Sequence, residues 1–117
     1  MELSEREMLP RDEAGMPILT EWMEMNAEHL LATDQEAVRR MLDEGTLEQH
    51  LISVDRLCQE RLWELVSDES PTNIYRAWGL TAQMAQEDPA RYYRLMDTAY
   101  QTARDMVARE IALAPLA

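Results

Sequence analysis

The sequence predicts an all-α fold, a helical bundle of about five short to medium helices. Three observations support this prediction. The chain is rich in strong helix formers such as Leu, Met, Ala, Glu, Gln and Arg. It contains only three glycines and five prolines. Its apolar residues recur at i, i+3 and i+4, which is the period of an amphipathic helix, and no segment alternates as a strand would.

Two regions are predicted. Residues 1–17 form an acidic N-terminal arm, which Pro10, Gly15 and Pro17 interrupt. Leu3, Met8 and Leu9 could form a short docked helix there, or the arm could fray. Residues 18–117 form a single helical-bundle domain, because a chain of 117 residues is typical of one domain with a modest core.

The first two helices follow from apolar spacing and capping signals. Residues 18–31 carry apolar side chains at helical spacing, beginning with Ile18. Thr33 and Glu36 have the spacing of a capping box, which predicts that a second helix starts at Asp34. Gly45 predicts the end of that helix, because glycine readily adopts the left-handed conformation that follows a helix.

Three further helices complete the predicted bundle. Residues 47–66 carry one apolar stripe, on which Cys58 lies, and this is the clearest helix in the sequence. Ser70 followed by Pro71 predicts a helix that extends to about residue 87. The same cap-plus-proline signal at Asp88 and Pro89 predicts a closing helix to about residue 113.

The charge is strongly negative and unevenly distributed. There are 23 acidic residues and 11 arginines, and no lysine. Residues 1–36 contain ten acids and two arginines, a net charge of −8, whereas residues 37–117 contain thirteen and nine, a net charge of −4. Such a surface repels nucleic acid and anionic membranes and attracts basic protein surfaces. The expected partner is therefore the basic surface of a nucleic-acid-handling protein.

The first helix is the candidate for binding that partner. Glu21, Glu24 and Glu28 fall on one helix face, and a row of carboxylates can mimic DNA phosphates. The alternative is that the acids form a solvated face that aids solubility. The predicted partner-binding residues are Glu21, Trp22, Glu24, Met25, Glu28, Asp34 and Glu36.

A second surface could mediate self-association. Ile52, Trp63 and Val66 lie on the side of the 47–66 helix that is opposite its main apolar stripe. This strip would form either a homodimer face or a contact with another helix of the same chain.

No catalytic, metal-binding or cofactor-binding motif is present. His29 and His50 lack the spacing of metal-ligand pairs. Cys58 lies on an apolar stripe, where a thiol is expected to be unreactive, and a single cysteine forms no internal disulfide. The N-terminus lacks a secretory signal, and no apolar run is long enough for a membrane span, so a cytoplasmic location is expected.

Two blocks resemble the TnpV family of transposon-encoded small proteins. The first is MLDEGTLEQHLISVDRLCQERLWELV, residues 41–66, and the second is RLMDTAYQTARDMVAREIAL, residues 94–113. Together they cover about 40% of the chain. The resemblance implies a mobile-element origin and a helical fold, without an established activity.

The sequence therefore predicts a non-enzymatic inhibitor. Its acidic first helix would occupy the basic groove of a nucleic-acid-binding enzyme, as a DNA-mimicking anti-CRISPR or anti-restriction protein does. The alternative is an accessory or regulatory protein of a transposon that acts as a helical homodimer.

Overall fold

A computed structural model describes residues 8–115, which fold as an all-α bundle, as predicted. These residues form six α-helices and a terminal π-helical turn. The elements are α1 (Glu21–Thr33), α2 (Gln35–Glu44), α3 (Leu47–Val66), α4 (Ile74–Ala77), α5 (Ala82–Glu87), α6 (Pro89–Val107) and the π-turn (Ala108–Ala112).

Helix α1 begins later than predicted. Ile18 lies outside it, half exposed, and the hydroxyl of Thr20 caps the helix by accepting a hydrogen bond from the Met23 amide at 3.3 Å. The two glutamates of the first turn, Glu21 and Glu24, are favourably placed near the positive end of the helix dipole.

The boundary between α1 and α2 differs from the predicted capping box. The carboxylate of Asp34 caps α2 by accepting from the Ala37 amide at 3.2 Å. The Thr33 hydroxyl instead donates to the His29 carbonyl, 2.7 Å away within α1. The prediction of Thr33 as the cap was therefore wrong by one residue. Gly45 ends α2 with a φ of 72°, as expected.

Helix α3 spans the predicted residues and forms the centre of the bundle. Its stripe buries Leu51, Val54, Cys58 and Leu65. It packs against α1, α2, α4, α6 and the π-turn. This central position explains why α3 carries apolar residues on more than one side.

The single helix predicted for residues 70–87 is replaced by two short helices. Gly79 has a φ of 75°, which is incompatible with a continuous helix, and separates α4 from α5. Ser70 does not cap a helix; its hydroxyl donates to the Glu64 carbonyl near the end of α3 at 2.5 Å. The side chain of Asn73 is the cap of α4 and accepts from the Tyr75 and Arg76 amides.

The closing helix starts at Pro89 behind an Asp88 cap, as predicted, and ends in the π-turn. Its C-terminal half supplies Ala99, Ala103 and Val107 to the main core, where all three are fully buried. The two alanines allow a close approach of α3 because their side chains are small.

The described part of the predicted arm, residues 8–17, is docked without forming a helix. Leu9 is buried in a second apolar cluster with Met23 and Leu51. Arg11 forms an ion pair with Glu48 of α3, and residues 11 and 17 form an isolated bridge. Met8, also predicted for the arm, is exposed, and Leu3 lies outside the described residues.

Candidate functional site

The acidic face of α1, defined by Glu21, Glu24 and Glu28, is exposed along its length. Successive residues of a helix are rotated by about 100°, so the three side chains lie within about 60° of one another. The rise of about 1.5 Å per residue places the first and last about 10 Å apart along the helix. The structure therefore gathers the three predicted carboxylates into one row.

The three carboxylates are not equivalent. Glu21 forms an ion pair with Arg104 of α6. The Arg104 guanidinium also lies over the ring of Trp22, with its central carbon 4.7 Å from the ring centroid, and 5.9 Å from that of Tyr100. Part of the charge of Glu21 is thus balanced within the chain, which leaves Glu24 and Glu28 as the more available acids.

Asp34 and Glu36 have different roles. Asp34 is half-buried, and its carboxylate is the N-cap of α2. Glu36 is exposed in the first turn of α2, in a shallow depression that also contains Arg39 and Arg40. Asp34 therefore has a structural role. Asp43 and Glu44 also line the depression, so the two arginines offset only part of the negative charge around Glu36.

Of the two apolar residues predicted to contact a partner, Trp22 is buried in the core and Met25 is half-buried against it. Trp22 is only 6% exposed and packs in the main cluster, against which the half-buried Met25 also packs. The sequence analysis assigned no role to an exposed apolar residue on this side of α1. Leu31 is 52% exposed and lies one turn beyond Glu28, on the same side of α1. Because its neighbour Leu30 is fully buried, helical spacing alone did not distinguish the two.

A search among known proteins identifies the family. The family model of the transposon-encoded protein TnpV matches residues 8–112. The chain belongs to the TnpV family. The resemblance inferred from residues 41–66 and 94–113 is thus confirmed, and it extends over all six helices and the π-turn. No curated protein and no solved structure matches the chain.

In this TnpV protein the strip predicted for self-association is divided between the core and the surface. Ile52 packs against the second apolar cluster, and Val66 packs against the main one. Trp63 is 51% exposed and lies beside Gln59, Glu60 and Glu64. The three residues do not form one continuous exposed face.

An apolar groove of about 430 Å³ lies where the docked arm meets α2 and α3 of the TnpV chain. Sequence analysis missed it because the groove exists only when the arm folds back, a contact between segments that are distant in sequence. Its apolar lining includes Leu9, Pro17, Leu19, Leu42, Leu47 and Leu51.

A buried polar network connects α1, α3 and the π-turn. The Asn26 side chain is 2% exposed; its Nδ2 donates to the Ala112 carbonyl at 2.9 Å, and its Oδ1 lies 3.0 Å from His50 Nε2. Because an amide oxygen only accepts, the His50 nitrogen is the donor. Burial lowers the pKa of His50 below its usual value of 6.5.

Two further observations bear on chemistry. The Cys58 thiol is buried, and desolvation together with the nearby Asp55 charge raises its pKa to about 11. Within residues 8–115 no group of three or more His, Cys, Asp or Glu side chains is arranged to hold a metal ion. Over the same residues, no helix has the length and hydrophobicity needed to cross a bilayer.

Proposed function

We propose that this transposon-encoded protein is a non-catalytic binding module. Its acidic face on α1 would bind the basic surface of a nucleic-acid-handling protein and exclude nucleic acid from it. The observation that carries the proposal is the exposed row of carboxylates in the most acidic third of the chain, where residues 1–36 hold a net charge of −8.

The row is suited to a groove that binds phosphates. Arginine and lysine side chains that bind a nucleic acid backbone recognise a line of negative charges, and carboxylates are equally good acceptors for them. A helix holds those carboxylates at fixed spacing, so less conformational entropy is lost on binding than with a flexible acidic tail.

Specificity requires more than charge. Leu31 has an exposed apolar side chain at the end of the row, and it would take the contact role that sequence analysis gave to Trp22 and Met25. Charged pairs at the rim would accelerate association and be weakened by salt, whereas burial of Leu31 would slow dissociation and depend little on salt.

A catalytic function has less support. The only thiol is buried with a raised pKa, whereas catalytic cysteines need a lowered pKa and access to substrate. The exposed acids are numerous, and acid–base catalysis would require a carboxyl group with a shifted pKa in a cleft. The Glu110 carboxyl does have a shifted pKa, but the shift is downward, is caused by its hydrogen bond to Arg61, and occurs on the surface.

The test uses the tagged full-length chain as bait in a bacterial lysate, at about 50 mM and about 500 mM salt. The expected result is capture of a nucleic-acid-binding protein at low salt, and its release by added duplex DNA. The variant is Glu24→Arg with Glu28→Arg. The matched control, Glu60→Arg with Glu69→Arg, makes the same change in net charge at exposed residues outside α1.

With the captured protein purified, binding of the variants gives the decisive comparison. Exposed ion pairs contribute up to about 1 kcal/mol each, so reversing two charges should weaken binding about tenfold or more. The control variant should bind within about threefold of the wild type. If the control variant bound as weakly as the α1 variant, the loss of affinity would come from net charge alone, which would overturn the assignment of the binding site to α1. If the partner stayed bound in excess DNA, the proposal that the chain and nucleic acid compete for one surface would be overturned.

A further inference from the structure

The α5–α6 hairpin, residues 81–98, projects from the bundle. We call this segment the outer arm. Among the described elements, α5 packs on α6 and on no other. No residue of the outer arm is buried. The molecule measures 57 × 31 × 28 Å, with a radius of gyration of 18.2 Å, whereas a compact chain of this length has one of about 13 Å.

The outer arm carries apolar residues that the chain leaves half covered. On α6 the core stripe of Ala99, Ala103 and Val107 continues towards the N-terminus as Tyr92, Leu95 and Met96. The three core residues are fully buried, but the three arm residues are only half-buried. The six-residue helix α5 and the N-terminal half of α6 contain no buried residue, so the outer arm has little hydrophobic stabilisation of its own.

The charge of the outer arm indicates what covers it. It contains Glu87, Asp88 and Asp97 against Arg91 and Arg94, a net charge of −1 out of −12 for the chain. Two copies of so acidic a chain repel each other across the first 36 residues, but not across a nearly neutral face. The two arginines of one copy could also pair with the acids of the other in an antiparallel arrangement.

We propose that the outer arm is the interface of a homodimer, in which the arms of two copies pack as a four-helix bundle. A two-fold axis is the commonest symmetry of homo-oligomers, and it makes the same stripe complementary to itself. Each copy would contribute fewer residues than the roughly 20–30 of a standard interface, so dissociation in the micromolar range is expected. This inference is independent of the function proposed for α1.

The experiment is sedimentation of the full-length protein from about 1 µM to about 200 µM, a range that brackets a micromolar dissociation constant. The wild type should change from the 13.6 kDa monomer to twice that mass. Leu95→Glu should remain monomeric. Trp63→Glu, which alters the exposed tryptophan of α3, is the matched control and should still dimerise.

A second variant separates dimerisation from folding. Arg91→Glu with Arg94→Glu changes only exposed side chains and takes the net charge of each outer arm from −1 to −5. It should keep the helical circular dichroism of the wild type and weaken dimerisation at least tenfold, with partial recovery at high salt. A wild type that is monomeric at the highest concentration would overturn the proposal. So would a charge variant that dimerises like the wild type, or a monomeric Trp63→Glu alongside a dimeric Leu95→Glu.

Discussion

The side chain of Asn26 on α1 donates a hydrogen bond to the backbone carbonyl of Ala112, which is 86 residues away in the sequence, at 2.9 Å. The acceptor lies in the π-turn, where backbone hydrogen bonding departs from the α-helical pattern. The bond therefore connects the helix that carries the acidic face to the end of the closing helix.

The first prediction concerns this bond. Asn26→Ala removes the amide from both of its partners, His50 Nε2 and the Ala112 carbonyl, and leaves that carbonyl unsatisfied in the core. Each unsatisfied buried group costs about 1–3 kcal/mol, so the free energy of unfolding should fall by about that amount. Urea denaturation measures it. Gln101→Ala, at an exposed amide on α6, is the control and should change it by less than about 0.5 kcal/mol. An equally small change for Asn26→Ala would show that the network adds no stability.

The second prediction concerns pH and His50. Burial lowers the pKa of this imidazole, so below its usual value of 6.5 the unfolded chain binds a proton that the folded chain does not. The contribution of His50 to the free energy of unfolding is therefore fully present above about pH 6.5, and it is lost as the pH falls towards the folded-state pKa.

His50→Gln removes the titration and keeps a side chain that can donate to Asn26. Urea denaturation between about pH 7.5 and about pH 5 should show that the wild type loses more stability than the variant as the pH falls. The Glu110 carboxyl, whose pKa is lowered by its hydrogen bond to Arg61, contributes only below its usual value of 4.5 and does not interfere. Parallel curves for the two proteins would contradict the assignment to His50.

The third prediction concerns Arg104, which combines an ion pair with a contact to two aromatic rings. Arg104→Ala should lower the free energy of unfolding by about 1–2 kcal/mol and shift the fluorescence of Trp22, because a cation over an indole contributes about 0.5–1 kcal/mol and part of the packing is also lost. Glu21→Gln removes the ion pair and the favourable charge at the start of α1 but keeps the aromatic contacts of Arg104, and should cost about 0.5–1 kcal/mol, since Glu21 is largely exposed. Equal losses in both variants would mean that the ion pair dominates.

The sequence predicted an element well when the residues that determine it are close together in the sequence, and poorly when they are far apart. The predicted bounds of α3 were correct because they follow from its apolar stripe and its flanking polar residues, which are close to one another in the sequence. The helix predicted for residues 70–87 was wrong because Ser70 bonds back to α3 and Gly79 adopts a positive φ. Neither the tertiary partner of a serine nor the sign of a glycine φ follows from neighbouring residues.

The candidate site shows the same limit. Periodicity correctly placed Glu21, Glu24 and Glu28 in one row, since the spacing of a helix is fixed. The burial of Trp22 depends on the rotation of α1 against the rest of the bundle. Long-range contacts, such as those of Asn26 with Ala112 and of Glu21 with Arg104, hold that rotation, and no local pattern encodes them.

The last prediction concerns the Cys58 thiol. At pH 8, a pKa of about 11 leaves about 0.1% of the thiol ionised, compared with about 10% for a pKa of 9.0. Since the thiolate is the species that reacts with iodoacetamide, and the side chain is fully buried, alkylation of the folded protein should be at least about a hundredfold slower than in urea. Mass spectrometry of timed samples measures both rates.

Asp55→Asn identifies the cause of the slow reaction. Burial is the larger cause of the raised pKa and the Asp55 charge is the smaller one, so removing the charge should change the alkylation rate of the folded protein by less than about tenfold. The variant keeps a side-chain oxygen that can accept the hydrogen bond donated by the Thr20 hydroxyl, 2.7 Å away in the wild type. If the variant reacted as fast when folded as in urea, the Asp55 charge would be the main protection; if the wild type did so, Cys58 would be accessible in the folded state.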